Sequence, residues 1–367
     1  MSQIHPIYKE LATKMNAPNN KALPKLLQKI ANLEQARIAS ALPSTVENIA
    51  SKLALDKEKV AKQLQYLFER GLVAPGRSGW NMVNNIGIFK DRVASTNDKY
   101  DDDEVFDLAR AMSLEDSKSL KGRIKRGEKI PSVRKIMRVV PKWRAIKDIP
   151  GILPIEDARE IFKNKPPIVV HKCPCRMVYR DRPCKDTNPV EVCFAVGATG
   201  QRFIERDAGK KLTYDELIAF LDKVDEFPLV SMTGNSNRMP EVLCSCCPDC
   251  CGLFVRSSYT KPLLGQVPYE KSRFVIEDNP EVCTACGTCV KRCPVNAITM
   301  QNASKSGKKR SYTDNEECIG CGLCVLTCPK NARKMKLVRP PEFIPDFMAG
   351  FDTEGLTNTP PIPQRKE

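Results

Sequence analysis

The sequence predicts an α+β chain built of several domains, and three observations predict it. Apolar residues recur at helical spacing, with capping residues between them, through the first eighty positions and end in a hairpin pattern. All 17 cysteines fall later, in the zones 173–251 and 283–328. Within the second zone one closely spaced cysteine motif occurs twice. At 367 residues the chain is long enough for two or three domains of roughly 150 residues. Its 41% hydrophobic content is that of an ordinary soluble protein, and no apolar run approaches the roughly 20 residues that span a bilayer. The start, MSQIHPIYKELATKMN, lacks the apolar run of a secretory signal, so a cytoplasmic location is expected.

Residues 1–22 read as a polar, Asn-rich lead-in, and residues 23–84 as three helices and a hairpin. Leu23, Leu26, Leu27 and Ile30 make one helical stripe, continued through Leu33, with Pro24 near its start where a missing N–H does little harm. Ser44 with Glu47 forms a capping box for a helix through Val46, Ile49, Ala50 and Leu53. Asp56 caps a third helix, with Val60, Leu64, Leu67 and Phe68 on one face, and Gly71 ends it. Leu72-Val73, a turn at Pro75-Gly76 and Trp80–Val83 then suggest a β-wing. This order resembles the winged-helix domain over about 60 residues.

Residues 85–166 read as a basic connector, with a helix at Val105–Met112 after the acidic run Asp101–Glu104. Ser117–Lys147 holds twelve Lys/Arg against one acid, Glu128. Pro131, Pro141, Pro150, Pro154, Pro166 and Pro167 limit the rest of the connector to short elements. A Cys-rich middle domain is expected at 167–265, with a strand at Ile168–Val170 and a helix at Tyr214–Glu226 started by the capping box Thr213/Glu216. The last domain covers 270–338, and the tail 339–367 carries six prolines.

The strongest motif is Cys283-x2-Cys286-x2-Cys289-x3-Cys293-Pro294, repeated as Cys318-x2-Cys321-x2-Cys324-x3-Cys328-Pro329. In a long chain without a secretory signal, such spacing reads as metal ligation rather than disulfides. A tight C-x2-C-x2-C loop supplies three thiolates to a cubane and aims backbone amides at its sulfides, so the fourth thiolate comes from elsewhere. The segment resembles the bacterial-type two-cluster ferredoxins, in eight cysteines and both prolines. That resemblance implies two 4Fe–4S clusters with crossed ligation: one on Cys283, Cys286, Cys289 and Cys328, the other on Cys318, Cys321, Cys324 and Cys293. It also implies a pseudo-two-fold domain of two hairpins and two short helices, and low reduction potentials. The loop Asn302–Arg310, basic and Ser/Gly-rich, is an insertion relative to a minimal ferredoxin; it reads as a solvated tip or as a docking contact for an acidic redox partner.

Nine cysteines remain, at Cys173, Cys175, Cys184 and Cys193, and in the run Cys244, Cys246, Cys247, Cys250 and Cys251. Adjacent side chains in so tight a run cannot all face one metal. The preferred ligand pool is Cys173, Cys175, Cys184, Cys193, Cys246, Cys247 and Cys250. A third 4Fe–4S cluster, a structural zinc on four thiolates, and a thiol-based redox site all stay open. The region resembles Cys-rich segments that precede ferredoxin repeats in multidomain iron–sulfur proteins of anaerobes. His171 is placed to ligate or to donate to a cluster.

Other chemistry is excluded or weak. Gly197-Ala-Thr-Gly200 is neither a P-loop nor a dinucleotide fingerprint, no Ser/His/Asp set is apparent, and with His171 the one internal histidine the sequence argues against hydrolytic chemistry. The formal charge of +15 falls to about +11 once eight ligating thiolates and two oxidised cores are counted. A surface this basic favours acidic partners, and an electron-transfer protein serving a reductase, or an accessory subunit of an oxidoreductase, is the expected role. The alternative is a redox-sensing DNA-binding regulator, with Lys57, Lys59, Lys62, Gln63 and Gln65 towards the major groove.

Overall fold

A computed structural model describes residues 3–346 apart from 131, 239, 304–306 and 308. The expected lead-in holds a helix, α1 (Pro6–Lys14), with Tyr8, Leu11 and Ala12 buried and the Tyr8 hydroxyl donating to the Ala31 carbonyl at 2.8 Å. From residue 23 to the hairpin there are four helices rather than three: α2 (Leu23–Ile30), α3 (Leu33–Ser40), α4 (Val46–Leu53) and α5 (Lys57–Glu69). The stripe drawn through Leu33 breaks at Ala31 because Asn32 and Gln35 form a capping box that starts α3, leaving Leu33 exposed. Thr45, one residue later than expected, caps α4 by accepting from the Asn48 amide; Ser44 instead bridges to Trp80. Strands β1 (Val73–Gly76) and β2 (Gly79–Met82) form the antiparallel hairpin. After α6 (Ile86–Val93), α7 runs from Asp103 to Lys125, far past Met112, because no proline interrupts it.

The middle of the chain is organised by one seven-stranded sheet. Its elements in chain order are β3 (Met137–Val140), α8 (Trp143–Ile146), α9 (Ala158–Phe162), β4 (Ile168–Lys172), α10 (Pro174–Val178) and α11 (Cys184–Thr187). Next come β5 (Glu191–Val196), α12 (Gly197–Glu205), β6 (Lys210–Leu212), α13 (Tyr214–Val224), β7 (Val230–Gly234), β8 (Val242–Cys246), α14 (Gly252–Leu264) and β9 (Tyr269–Glu270). The strand order is β6-β4-β5-β8-β7-β3-β9, antiparallel except for β3 with β9. The sheet thus reaches outside 167–265 at both ends; β3 joins it because Val139 and Val140 need cover. The Thr213/Glu216 capping box is present at α13. Pairing of β4 with β5 and of β7 with β8 sets Cys193 opposite His171, and Cys246 and Cys244 opposite Val230 and Met232.

The last domain contains β10 (Phe274–Asp278), α15 (Thr288–Arg292), β11 (Ile298–Asn302), β12 (Lys309–Thr313), α16 (Leu323–Leu326) and β13 (Arg333–Leu337). Instead of two hairpins there is one, β11–β12, while β10 pairs with β13 across the domain. Each repeat runs strand, cysteine loop, helix, strand, so joining the first strand to the last closes the fold. A buried pair, Arg273–Glu156 at 2.9 Å, ties this domain to the segment before α9. Four of the nine residues of the basic insertion (304–306 and 308) and the tail from 347 onward lie outside the described residues. No described helix is long and apolar enough to cross a membrane.

Candidate metal centres

In the last domain the two repeats adopt matching backbones. Gly287 and Gly322, after the second cysteine of each, cap α15 and α16 at φ 74° and 80°, and Asn296 and Asn331, after each Cys-Pro-x, also take positive φ. Gly320 sits at φ 67° with no room for a side chain, because a Cβ there would collide with Ser272 Oγ and the Phe274 carbonyl. These turns gather the eight cysteines into two groups drawn from both repeats. Cys283, Cys286, Cys289 and Cys328 line one cavity, and Cys293, Cys318, Cys321 and Cys324 line the other. Backbone amides point at sulfur in both: Ala332 N to Cys328 at 3.2 Å, Ala297 N to Cys293 at 3.3 Å and Gly320 N to Cys318 at 3.4 Å.

The two groups differ in exposure. Cys286 is exposed, and the hydroxyl of Thr288 holds its thiol below the ordinary range. At Cys283 burial opposes ionisation, but the Ser311 hydroxyl and amide outweigh it and the thiol is again lowered. Cys318, Cys321 and Cys324 are buried, and burial pushes all three thiols up, Cys321 to about 12. An outer group and an inner group result. Soft thiols in two fours with amide donors around them fit 4Fe–4S clusters.

The inner group abuts the middle domain. Cys321, Ile319 and Leu323 share one packed core with Cys246, Cys251, Val139 and Val230. Lys142, on the link from β3 to α8, donates its amide to the Cys321 carbonyl at 3.0 Å and pairs its buried ammonium with Asp225 at 3.0 Å.

The structure divides the remaining cysteines. A cavity of about 250 Å³ is walled by Cys173, Cys175, Cys193, Cys244, Cys246, Cys247, Cys250 and Cys251. Six of these thiols neighbour one another in a closed ring: Cys173, Cys193, Cys244, Cys246, Cys251, Cys175 and back to Cys173. Cys244 and Cys251, outside the pool read from sequence, belong to this ring. The signal for Cys244 is the strand itself: alternation along β8 puts Cys244 and Cys246 on one face, whereas Cys251, at the N-cap of α14, carries no such signal. Hydrogen bonds from Cys173 and Cys251, with Lys90 beyond them, hold Cys175 well below its ordinary value, and Lys90 Nζ stands 3.5 Å from its sulfur. Cys184 and Cys247 instead close on Cys250, at 3.1 and 2.6 Å respectively. Between the ring and this triplet lies Arg176, 1% exposed, donating to Ser245 O at 2.9 Å and Pro189 O at 3.1 Å. Burial works against its charge, and the thiols of Cys173, Cys247, Cys193 and Cys250 more than offset that.

Other expected residues stand elsewhere. His171 does not face the thiols: its ring stacks on Phe203 at 3.9 Å, its Nδ1 lies 3.0 Å from Lys172 O, and burial lowers it to about 4. It is a neutral core histidine. On α5, Lys59 pairs with Glu34 at 2.6 Å, Gln63 bonds Gln35 at 2.7 Å, and Gln65 reaches the Glu205 carbonyl at 3.4 Å.

Residues 282–332 match the family model of the 4Fe-4S dicluster domain. Together with the cysteine groups this defines an iron–sulfur protein, whose cofactor chemistry points to electron transfer. A search of curated proteins returns no match to the chain.

Proposed function

We propose that this chain is an electron-transfer protein with three cysteine-held centres in a row. Cys283, Cys286, Cys289 and Cys328 would hold an outer 4Fe–4S cluster, Cys293, Cys318, Cys321 and Cys324 an inner one, and four thiols of the six-membered ring a third. When bound, such clusters take up and release single electrons. The observation that carries the reading is the shared buried core of Cys321 with Cys246 and Cys251, which sets the inner group and the ring against one packed interior. The exposed side of the outer group, where Lys330 lines the cavity and Lys291 stands nearby in the sequence, suits an acidic redox partner. We read the N-terminal helices and hairpin as a winged-helix-like scaffold rather than a DNA reader, since Lys59, Gln63 and Gln65 are engaged within the chain.

Iron and sulfide analysis of anaerobically purified protein tests this. About twelve irons per chain support three cubanes, about eight leave the ring without a cluster, and about four defeat the assignment. Crossed ligation is tested by Cys328→Ala, which should damage the centre of Cys283, Cys286 and Cys289 and spare that of Cys318, Cys321 and Cys324.

A further inference from the structure

We infer that Cys184, Cys247, Asp249 and Cys250 form a separate closed site for one divalent metal ion of the zinc type, behind the wall of the six-thiol ring. Among the described residues this is the one group of three or more His, Cys, Asp or Glu whose donor atoms all lie within 4.8 Å of one another. Four ligands about 2.3 Å from a tetrahedral ion stand about 3.8 Å apart, so donors gathered within 4.8 Å are compact enough for one ion, which would spread the sulfur pairs now at 3.1 and 2.6 Å by about 1 Å. A cubane spreads its thiolates over four irons and needs them wider. The same structure supplies the comparison: neither ferredoxin-type quartet, nor the ring, draws its donor atoms into so small a space.

Asp249 gives the second observation. Its Oδ2 accepts from the Cys184 amide at 3.0 Å, which fixes the carboxylate of this half-buried residue beside the Cys184 and Cys247 thiols, while the Oδ1 atom is itself buried and has no oxygen or nitrogen partner among the described residues. A buried carboxylate oxygen left so is costly unless something else takes it. A cation at the triplet does so. The three sulfurs are themselves buried, with Cys184, Cys247 and Cys250 at 3%, 2% and 1% exposure, as a structural ion requires. Three thiolates and a carboxylate around a divalent ion leave two negative charges, and Arg176 lies against Cys247 and Cys250 to balance part of them.

The site would also explain the run Cys-Ser-Cys-Cys-Pro-Asp-Cys-Cys. Strand alternation gives Cys244 and Cys246 to the ring, and the tight Cys247-Pro-Asp-Cys250 turn gives its two ends to the ion. Cys184, more than sixty residues earlier, closes the loop, so the ion would pin α11 against the turn after β8.

The inference stands independently of whether the ring holds a cluster. Full-length protein purified without air should contain about one zinc per chain beside its iron. Cys184→Ser and Asp249→Asn should each weaken zinc retention against a chelator at least about tenfold while leaving iron and sulfide unchanged. Loss of iron in these variants with zinc retained, or failure of the wild type to bind one equivalent of Zn²⁺ or Co²⁺, overturns the site. Should the variants not fold, X-ray absorption at the zinc edge of the wild type decides. Three sulfurs and one light atom support it; any other shell refutes it.

Discussion

Replacing Arg176 with methionine keeps most of the side-chain volume but removes a cation buried between two groups of thiols. The guanidinium bonds to Ser245 O and Pro189 O, while its Nε has no hydrogen-bond partner among the described residues. Each charge-assisted bond contributes about 1.5–3 kcal/mol, and breaking a buried charge pair from one side costs about 3–5 kcal/mol, so the two routes agree on a loss near 3–5 kcal/mol. At roughly 3 kcal/mol per M of urea, the apparent unfolding midpoint should fall by at least about 1 M. Arg176→Lys retains the charge but not the fork and should fall between the two. The assay is urea unfolding of metal-loaded protein under argon, followed by tryptophan fluorescence together with visible absorbance. A methionine variant with an unchanged midpoint and an unchanged metal content would refute the view that the thiols require this counter-charge.

Gly320→Ala places a methyl group against Ser272 Oγ and the Phe274 carbonyl at a left-handed φ, and should destabilise the last domain by at least about 1–2 kcal/mol, with preferential loss of the inner centre by electron paramagnetic resonance. Arg273→Met strands Glu156 without its partner and should cost about 3–5 kcal/mol; adding Glu156→Gln should recover a large share, measured as thermal midpoints of the single and double variants. Lys142→Gln removes an ammonium whose field acts on Cys321, so the inner centre should become harder to reduce by tens of millivolts in a redox titration while the outer one stays put.

The local code was readable from the sequence wherever a feature depends on neighbours in the chain. The repeated cysteine loops, the Asp56 and Thr213 caps and the stripe Val60, Leu64, Leu67 and Phe68 follow from spacing alone, because 3.6-residue periodicity and capping act within a single turn. The break between α2 and α3 was also written there, in Asn32 and Gln35, but a continuous apolar stripe masked it. Tertiary structure alone decided the rest. Which cysteines meet depends on the pairing of β7 with β8 and, above all, of β5 with β8, whose partners Phe194 and Leu243 lie 49 residues apart, contacts that no local period encodes. The same long-range packing turned His171 from a candidate ligand into a core ring on Phe203, and it recruited Cys244 and Cys251 to the ring. It also set Asp249 beside three thiols. Residue type tells what chemistry a side chain can do, and the fold decides which other side chains it can do it with.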